Sequence, residues 1–160
     1  MKYFNLSALL LLCLCQSASA ENEKKLSFDQ YSGYFVSNKF EPDAKLSFVA
    51  IHSQAQFDQV FGVAMVMRDK SHRLPKDAFK SNIVLTAIKR GKASWEYKVE
   101  GVTIEKGVVK VSYAATSKAT PETEFACPLI VSIPKGEYKS FVFVENGKEV
   151  KAVEGPAAPK

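Results

Sequence analysis

The stretch Trp95-Glu-Tyr-Lys-Val-Glu-Gly-Val-Thr-Ile-Glu-Lys-Gly-Val-Val-Lys-Val-Ser-Tyr113 decides the fold. Trp95, Tyr97 and Val99 alternate with Glu96, Lys98 and Glu100, a period of two with one apolar face. After Gly101 the apolar positions become Val102 and Ile104, which moves them from odd to even numbers. A β-bulge at Gly101 absorbs the extra residue. Glu105-Lys106-Gly107 turns the chain, and Val109, Val111 and Tyr113 carry the return strand. A hairpin with one apolar face needs a second layer to cover it.

The flanking segments supply that layer. Upstream, Asn82 to Ile88 is apolar on both faces and reads as a central strand, with Pro75-Lys-Asp77-Ala-Phe79 leading into it. Tyr34 to Val36 and Leu46 to Ile51 read as earlier strands, separated by the turn signal Glu41-Pro42-Asp43. Between these strands and Asn82 the period changes. Ser53 is a helix N-cap, Phe57, Val60 and Phe61 follow at helical spacing, and Gly62 is placed to end the helix. Val63 to Met67 reads as strand or loop, and Arg68 to Pro75 as an exposed polar loop. Downstream, Thr116 to Phe125 is a polar connection, and Leu129 to Ile133 and Ser140 to Val144 are strands. Asn146-Gly147 is a two-residue hairpin signal, with Glu149 to Val153 returning as an edge strand. Short turns between sequential strands imply a mainly β (α+β) fold: an antiparallel β-sandwich or partly rolled sheet of about eight strands with one short helix.

The first twenty residues have a different character. Lys2 precedes an apolar run from Leu6 to Cys15, and Ala18-Ser19-Ala20 closes it with small residues. This is the pattern of a secretory signal peptide, residues 1–20, with cleavage after Ala20 set by Ala18 and Ala20. The run is too short to span a bilayer, and the mature chain is expected to hold no transmembrane segment. A lipoprotein signal is the rival, because Cys13 and Cys15 lie in the right region. Bulky Leu12 and Leu14 precede them, which favours simple cleavage. The expected location is therefore secreted or periplasmic. Residues 21–25 are expected to be a flexible start, 26–153 a single β-rich domain and 154–160 a flexible Pro/Ala-rich tail.

Few chemistries are signalled. The formal net charge is +5, with positive residues scattered and no basic block, so no nucleic-acid partner is implied. His52 and His72 are the only histidines, and no metal-ligand motif contains them, so no metal or cofactor is expected. Cys127 is the only cysteine outside the signal segment. Next to Pro128 and Leu129 to Val131 it reads as a buried thiol at a strand entrance, with a Cys127-dependent hydrolase as the competing idea. Glu122 and Glu124 sit in a polar loop. Trp95 and Tyr97 are candidate partner-binding aromatics; the competing reading turns both into the core beside Val99.

The order of these motifs resembles a known family. Phe48-Val-Ala-Ile-His-Ser53 with Gln56 to Phe61, Pro75 to Ile83, Trp95 to Ile104, Cys127-Pro128 and Val131-Ser-Ile-Pro-Lys135 resemble the C-terminal domain of PrcB-type protease-complex subunits. The resemblance covers roughly Gly33 to Val144. It implies an exported, non-enzymatic accessory domain that stabilises a secreted protease. The family's named member is a lipoprotein, and Glu96 stands where a Gly normally precedes the Tyr97 position.

The functional expectation is a non-catalytic exported domain that binds or stabilises another exported protein, a protease being the partner that the resemblance implies. The alternative is a carrier with a small apolar ligand or lipid in a β cavity. If the signal reading holds, intact-mass analysis of the exported protein finds a chain beginning at Glu21. Ala20→Leu leaves the precursor uncut; a mass that retains residues 1–20 in the exported fraction contradicts the reading.

Overall fold

A computed structural model of the chain describes residues 23–65 and 72–155. The expected signal segment, residues 21–22 of the expected flexible start, residues 66–67 of the strand-or-loop segment, residues 68–71 of the expected polar loop and residues 156–160 of the expected tail lie outside the described residues. In order the elements are β1 (Lys24–Lys25), β2 (Asp29–Tyr31), β3 (Tyr34–Val36), β4 (Leu46–Ile51), α1 (Gln54–Val60) and β5 (Phe61–Val63). Then follow α2 (Ala78–Ser81), β6 (Asn82–Gly91), β7 (Ala93–Glu105), β8 (Val108–Ala119), β9 (Phe125–Pro134), β10 (Ser140–Glu145) and β11 (Lys148–Glu154). The protein is mainly β, with a β-sandwich-like α+β fold. No helix among the described residues is long and apolar enough to cross a membrane.

One sheet has the order β1-β7-β8-β10-β11 and faces a second of order β2-β9-β6-β4. Between them lies a core of Leu85, Leu129, Val131, Val109, Val111, Tyr113, Phe141 and Phe143. The other face of the second sheet carries a smaller core. There Ile51, Val84, Ile88 and Ile130 meet α1 and a two-stranded β3–β5 ribbon through Val36, Phe57, Val60 and Phe61. β6 and β9 are thus buried on both faces, which is why Asn82 to Ile88 shows no alternation. Their two buried hydroxyls are satisfied: Thr86 Oγ1 donates to the Leu129 carbonyl at 2.7 Å, and Ser132 Oγ pairs with Tyr31 OH at 3.1 Å.

The phase slip in the opening stretch is a bulge. Val99 pairs with Tyr113 and Gly101 with Ser112, leaving Glu100 as the extra residue. Tyr97, Val99, Val102 and Ile104 therefore all pack on the same core. Most pairings join strands that are not consecutive in the chain, and one among the described residues is not antiparallel: β8 and β10 are parallel. The chain leaves the first sheet after β8, crosses the second as β9, and returns as β10 in its original direction. Pro128 is tolerated inside β9 because the residues that bond β6 are Cys127 and Leu129, given the Ser81–Lys135 bond and register. Its missing N–H faces the side where β2 has already ended at Tyr31, opposite Ile130.

Several local expectations change. Lys24 and Lys25, placed in a flexible start, form β1 against Thr103 and Ile104, and Glu23 accepts a hydrogen bond from Thr103 Oγ1 at 2.6 Å. Glu154, placed in the tail, belongs to β11. Ser53 does cap α1, accepting from the Gln56 N–H at 3.3 Å, while Gln56 Oε1 accepts from the His52 N–H at 2.8 Å. Gly62 does not end the helix, which ends at Val60 with an extended Phe61 as its C-cap. It lies in β5 opposite Phe35, whose ring covers it so closely that a Cβ there would stand 2.2 Å from Phe35 Cζ. The segment leading into the central strand, to which no element was assigned, forms the short helix α2.

The bulge yields a test. Deleting Glu100 leaves Val99 and Val102 in regular alternation, so the variant is expected to fold with a small loss of stability. Deleting Thr103 drives Ile104 to the wrong face and is expected to cost several kcal/mol, about the value of an emptied core position. Chemical denaturation of the two variants compares them directly.

Candidate functional site

A polar layer closes one end of the main core. Lys89 on β6 forms an ion pair with Glu145 on β10, bridging the two sheets. The Tyr113 hydroxyl donates to Glu145 Oε2 at 3.2 Å. Tyr97 meets Tyr113 edge-on at 6.0 Å between ring centroids, and its hydroxyl donates to the Cys127 carbonyl at 3.1 Å. The Trp95 N–H donates to Cys127 Sγ at 3.4 Å. Cys127 stands opposite Lys89 in the β6–β9 ladder.

The tyrosines record how dry this layer is. Burial holds the Tyr97 hydroxyl far above its ordinary range, and Cys127, Tyr113 and Glu145 push it the same way. Tyr113 is raised mainly by burial and then by Glu145. Among the described residues no buried side-chain nitrogen or oxygen lacks a hydrogen-bond partner. The layer is thus a satisfied network that joins two sheets.

The predicted site residues are placed as follows. Tyr97 turns inward and is occupied by these contacts, so it does not contribute to an exposed platform. Trp95 is half-buried beside Gly91. Cys127 is half-buried inside β9 rather than at its entrance. His52 lies past Ile51, opposite Val84, whereas Cys127 lies opposite Lys89 at the far end of β6. The strand separates thiol and imidazole, so they form no nucleophile–base pair. Burial, and then Lys135, hold the His52 imidazole below its ordinary range. His72 stacks on Tyr31 with ring centroids 5.0 Å apart. No group of metal-ligating side chains forms among the described residues. Glu122 and Glu124 are exposed.

The seam between β7 and β9 is closed without a full strand. Leu26 N–H bonds the Val102 carbonyl at 2.9 Å, beyond the two-residue pairing of β1. Gln30 Nε2 then donates to the Tyr97 carbonyl at 3.0 Å, and its Oε1 accepts from the Val99 N–H at 3.3 Å. One side-chain amide here takes the place of a peptide unit along the β7 edge. Cys127 Sγ supplies the next acceptor, at Trp95. Nothing in the sequence around Gln30 signals this role.

One open groove lies on the ribbon side. Tyr34, Phe57 and Phe61 floor a groove of about 320 Å³, with Val63 and Leu74 as walls and Gln54, Asp58 and Lys76 at the rim. Tyr34 and Phe57 meet edge-on at 5.0 Å, and the Tyr34 hydroxyl accepts from the Leu74 N–H at 3.0 Å, which holds the rings in place. Beside it Val63 is 49 % exposed, Met65 93 % and Phe35, on the outer face, 54 %. Sequence reasoning had assigned Phe57 and Phe61 only to packing. Comparison with known proteins finds no matching family model, no matching curated protein and no matching solved structure.

The polar layer gives a pH signature. Phenols raised in the folded state keep their protons there while the unfolded chain loses them above about pH 10. Their stabilising contribution is complete below that pH and is lost as pH rises beyond it. Urea midpoints are expected to fall above pH 10, with a shallower fall in Tyr97→Phe; an equal fall in the variant contradicts the assignment of Tyr97.

Proposed function

We propose that the protein is an exported, non-catalytic β-rich domain that binds or stabilises another exported protein. The observation that carries this reading is the aromatic-floored groove with exposed Val63 in its wall, two residues before the fully exposed Met65. Contiguous exposed apolar side chains with a polar rim are the usual composition of a binding surface. The residue types fit: the floor is rigid and aromatic, and Lys76 and Asp58 at the rim offer one charge of each sign. A protease is the partner class that the PrcB-type resemblance implies. The secretory pattern of residues 1–20 supports an exported setting.

The carrier alternative needs apolar space inside the sandwich. Tyr113, Phe141 and Phe143, each no more than 1 % exposed, occupy the space between the sheets together with Leu85 and Leu129. The groove is therefore the better supported surface, and an extended protein segment the better supported occupant.

A photo-crosslinking residue at Met65 is expected to capture a discrete exported protein in the native exported fraction. Val63→Asp, which leaves both cores intact, is expected to reduce that capture by about tenfold, the value of one desolvated apolar anchor. A protein that captures nothing, or whose capture ignores Val63→Asp, overturns the assignment.

A further inference from the structure

β4 is the outermost strand of its sheet. The Arg90 N–H donates to the Lys45 carbonyl at 2.9 Å, and the register that pairs Leu46 with Lys89 places Lys45 opposite Arg90. These two residues are therefore a hydrogen-bonded pair. Antiparallel alternation then makes Ser47, Val49 and Ile51 the residues that bond β6. The N–H and C=O groups of Leu46, Phe48 and Ala50 point away from the sheet. Among the described residues none of them has a backbone partner. β11 comes close to β4 from the facing sheet, yet no backbone hydrogen bond joins the two strands.

The other sheet edges are guarded by charge. β1 is Lys24–Lys25, β2 begins with Asp29, and β11 carries Lys148, Glu149, Lys151 and Glu154. The ribbon strands β3 and β5 are three residues each. β4 spans six residues, Leu-Ser-Phe-Val-Ala-Ile, with no charge. Its first side chain, Leu46, is 44 % exposed. An uncharged edge of this length is a template for another strand.

We propose that β4 pairs antiparallel with β4 of a second copy of this chain, about a two-fold axis through Phe48. The three outward positions, 46, 48 and 50, are symmetric about Phe48, so their backbone donors and acceptors are complementary to those of a second copy of the same edge. In this register Phe48 faces Phe48 of the other copy, and each Leu46 faces an Ala50. All three opposed pairs are hydrogen-bonded pairs, and the bulky exposed Leu46 meets a small side chain. The two four-stranded sheets become one continuous sheet with an isologous junction. This inference is independent of the groove and of the proposed exported partner.

Sedimentation of the purified chain across a wide concentration range is expected to show a monomer converting to a dimer. Leu46→Lys, at an exposed position outside both cores, is expected to leave only monomer with unchanged circular dichroism. Amide exchange adds a readout independent of any variant. The Phe48 and Ala50 amides exchange fast in the monomer and become protected with dimer formation, while Ser47, Val49 and Ile51 are protected in both. A chain that stays monomeric at every concentration overturns the proposal. So does a dimer that survives Leu46→Lys, or one in which the Phe48 and Ala50 amides stay unprotected. A β4 edge that protects only when an exported partner is added overturns it too, and assigns the edge to that partner.

Discussion

Everything else in this molecule depends on β6 and β9 being apolar on both faces. A strand pair with two dry faces cannot lie on a surface; it needs a layer on each side. The hairpin β7–β8 with β10 supplies one layer, and α1 with the β3–β5 ribbon supplies the other. Phe141, Phe143 and Tyr113 fill the first interface; Phe57, Val60 and Phe61 fill the second. Because the two cores share a wall, a loss of order in β6 or β9 is felt in both.

Two interior faces also create two ends and two seams, and each is managed differently. One end is closed by the Lys89–Glu145 pair and the tyrosines around it. A partly buried pair of this kind adds little net stability against apolar residues of the same shape, but losing one partner leaves a charge stranded. The β7 seam is closed by β1, by one glutamine side chain and by a thiol. Cys127 thus has a structural role, as an acceptor for a strand edge, that its chemical identity does not advertise. Arg90 performs a comparable task at the β3–β4 connection. Its guanidinium donates to the carbonyls of Phe40 and Ala44 and to Ser47 Oγ, at 2.9, 3.1 and 2.8 Å.

Part of this was legible beforehand. The bulge followed from the change of phase between Val99 and Val102, because a period of two has no other way to keep Tyr97 and Ile104 on one face. The cap of α1 followed from Ser53 and the spacing of Phe57 and Val60. Lys89 and Glu145 could have been found as well: each continues the inward positions of its strand, after Ile83, Leu85 and Ala87 in β6 and after Phe141 and Phe143 in β10. A charge at an inward position needs a partner, and two such charges suggest each other. The short β1, β2 and β5 were not legible: Lys24–Lys25 and Asp29–Tyr31 carry no apolar run, and Phe61 continues a helical stripe. They are strands only because an edge lies beside them. Gly62 was misread for the same reason: a glycine after a helical stripe looks like a stop signal until Phe35 is seen lying over it.

The sequence by itself determined the class of the fold, the apolar centres of its long strands, the helix start and the phase slip, but not the polar ends of β8 and β9, where Thr116–Ala119 and Phe125 are strand. Each of these is a local consequence of side-chain alternation and backbone preference. Only the tertiary structure decided that β10 runs parallel to β8, that Gln30 stands in for a peptide unit, that the Tyr97 hydroxyl is held by the Cys127 carbonyl, and which edge of the four-stranded sheet lacks a partner. Those outcomes depend on which elements become neighbours across the sandwich. Neighbours distant in the chain are chosen by the burial of whole faces, which no local pattern encodes.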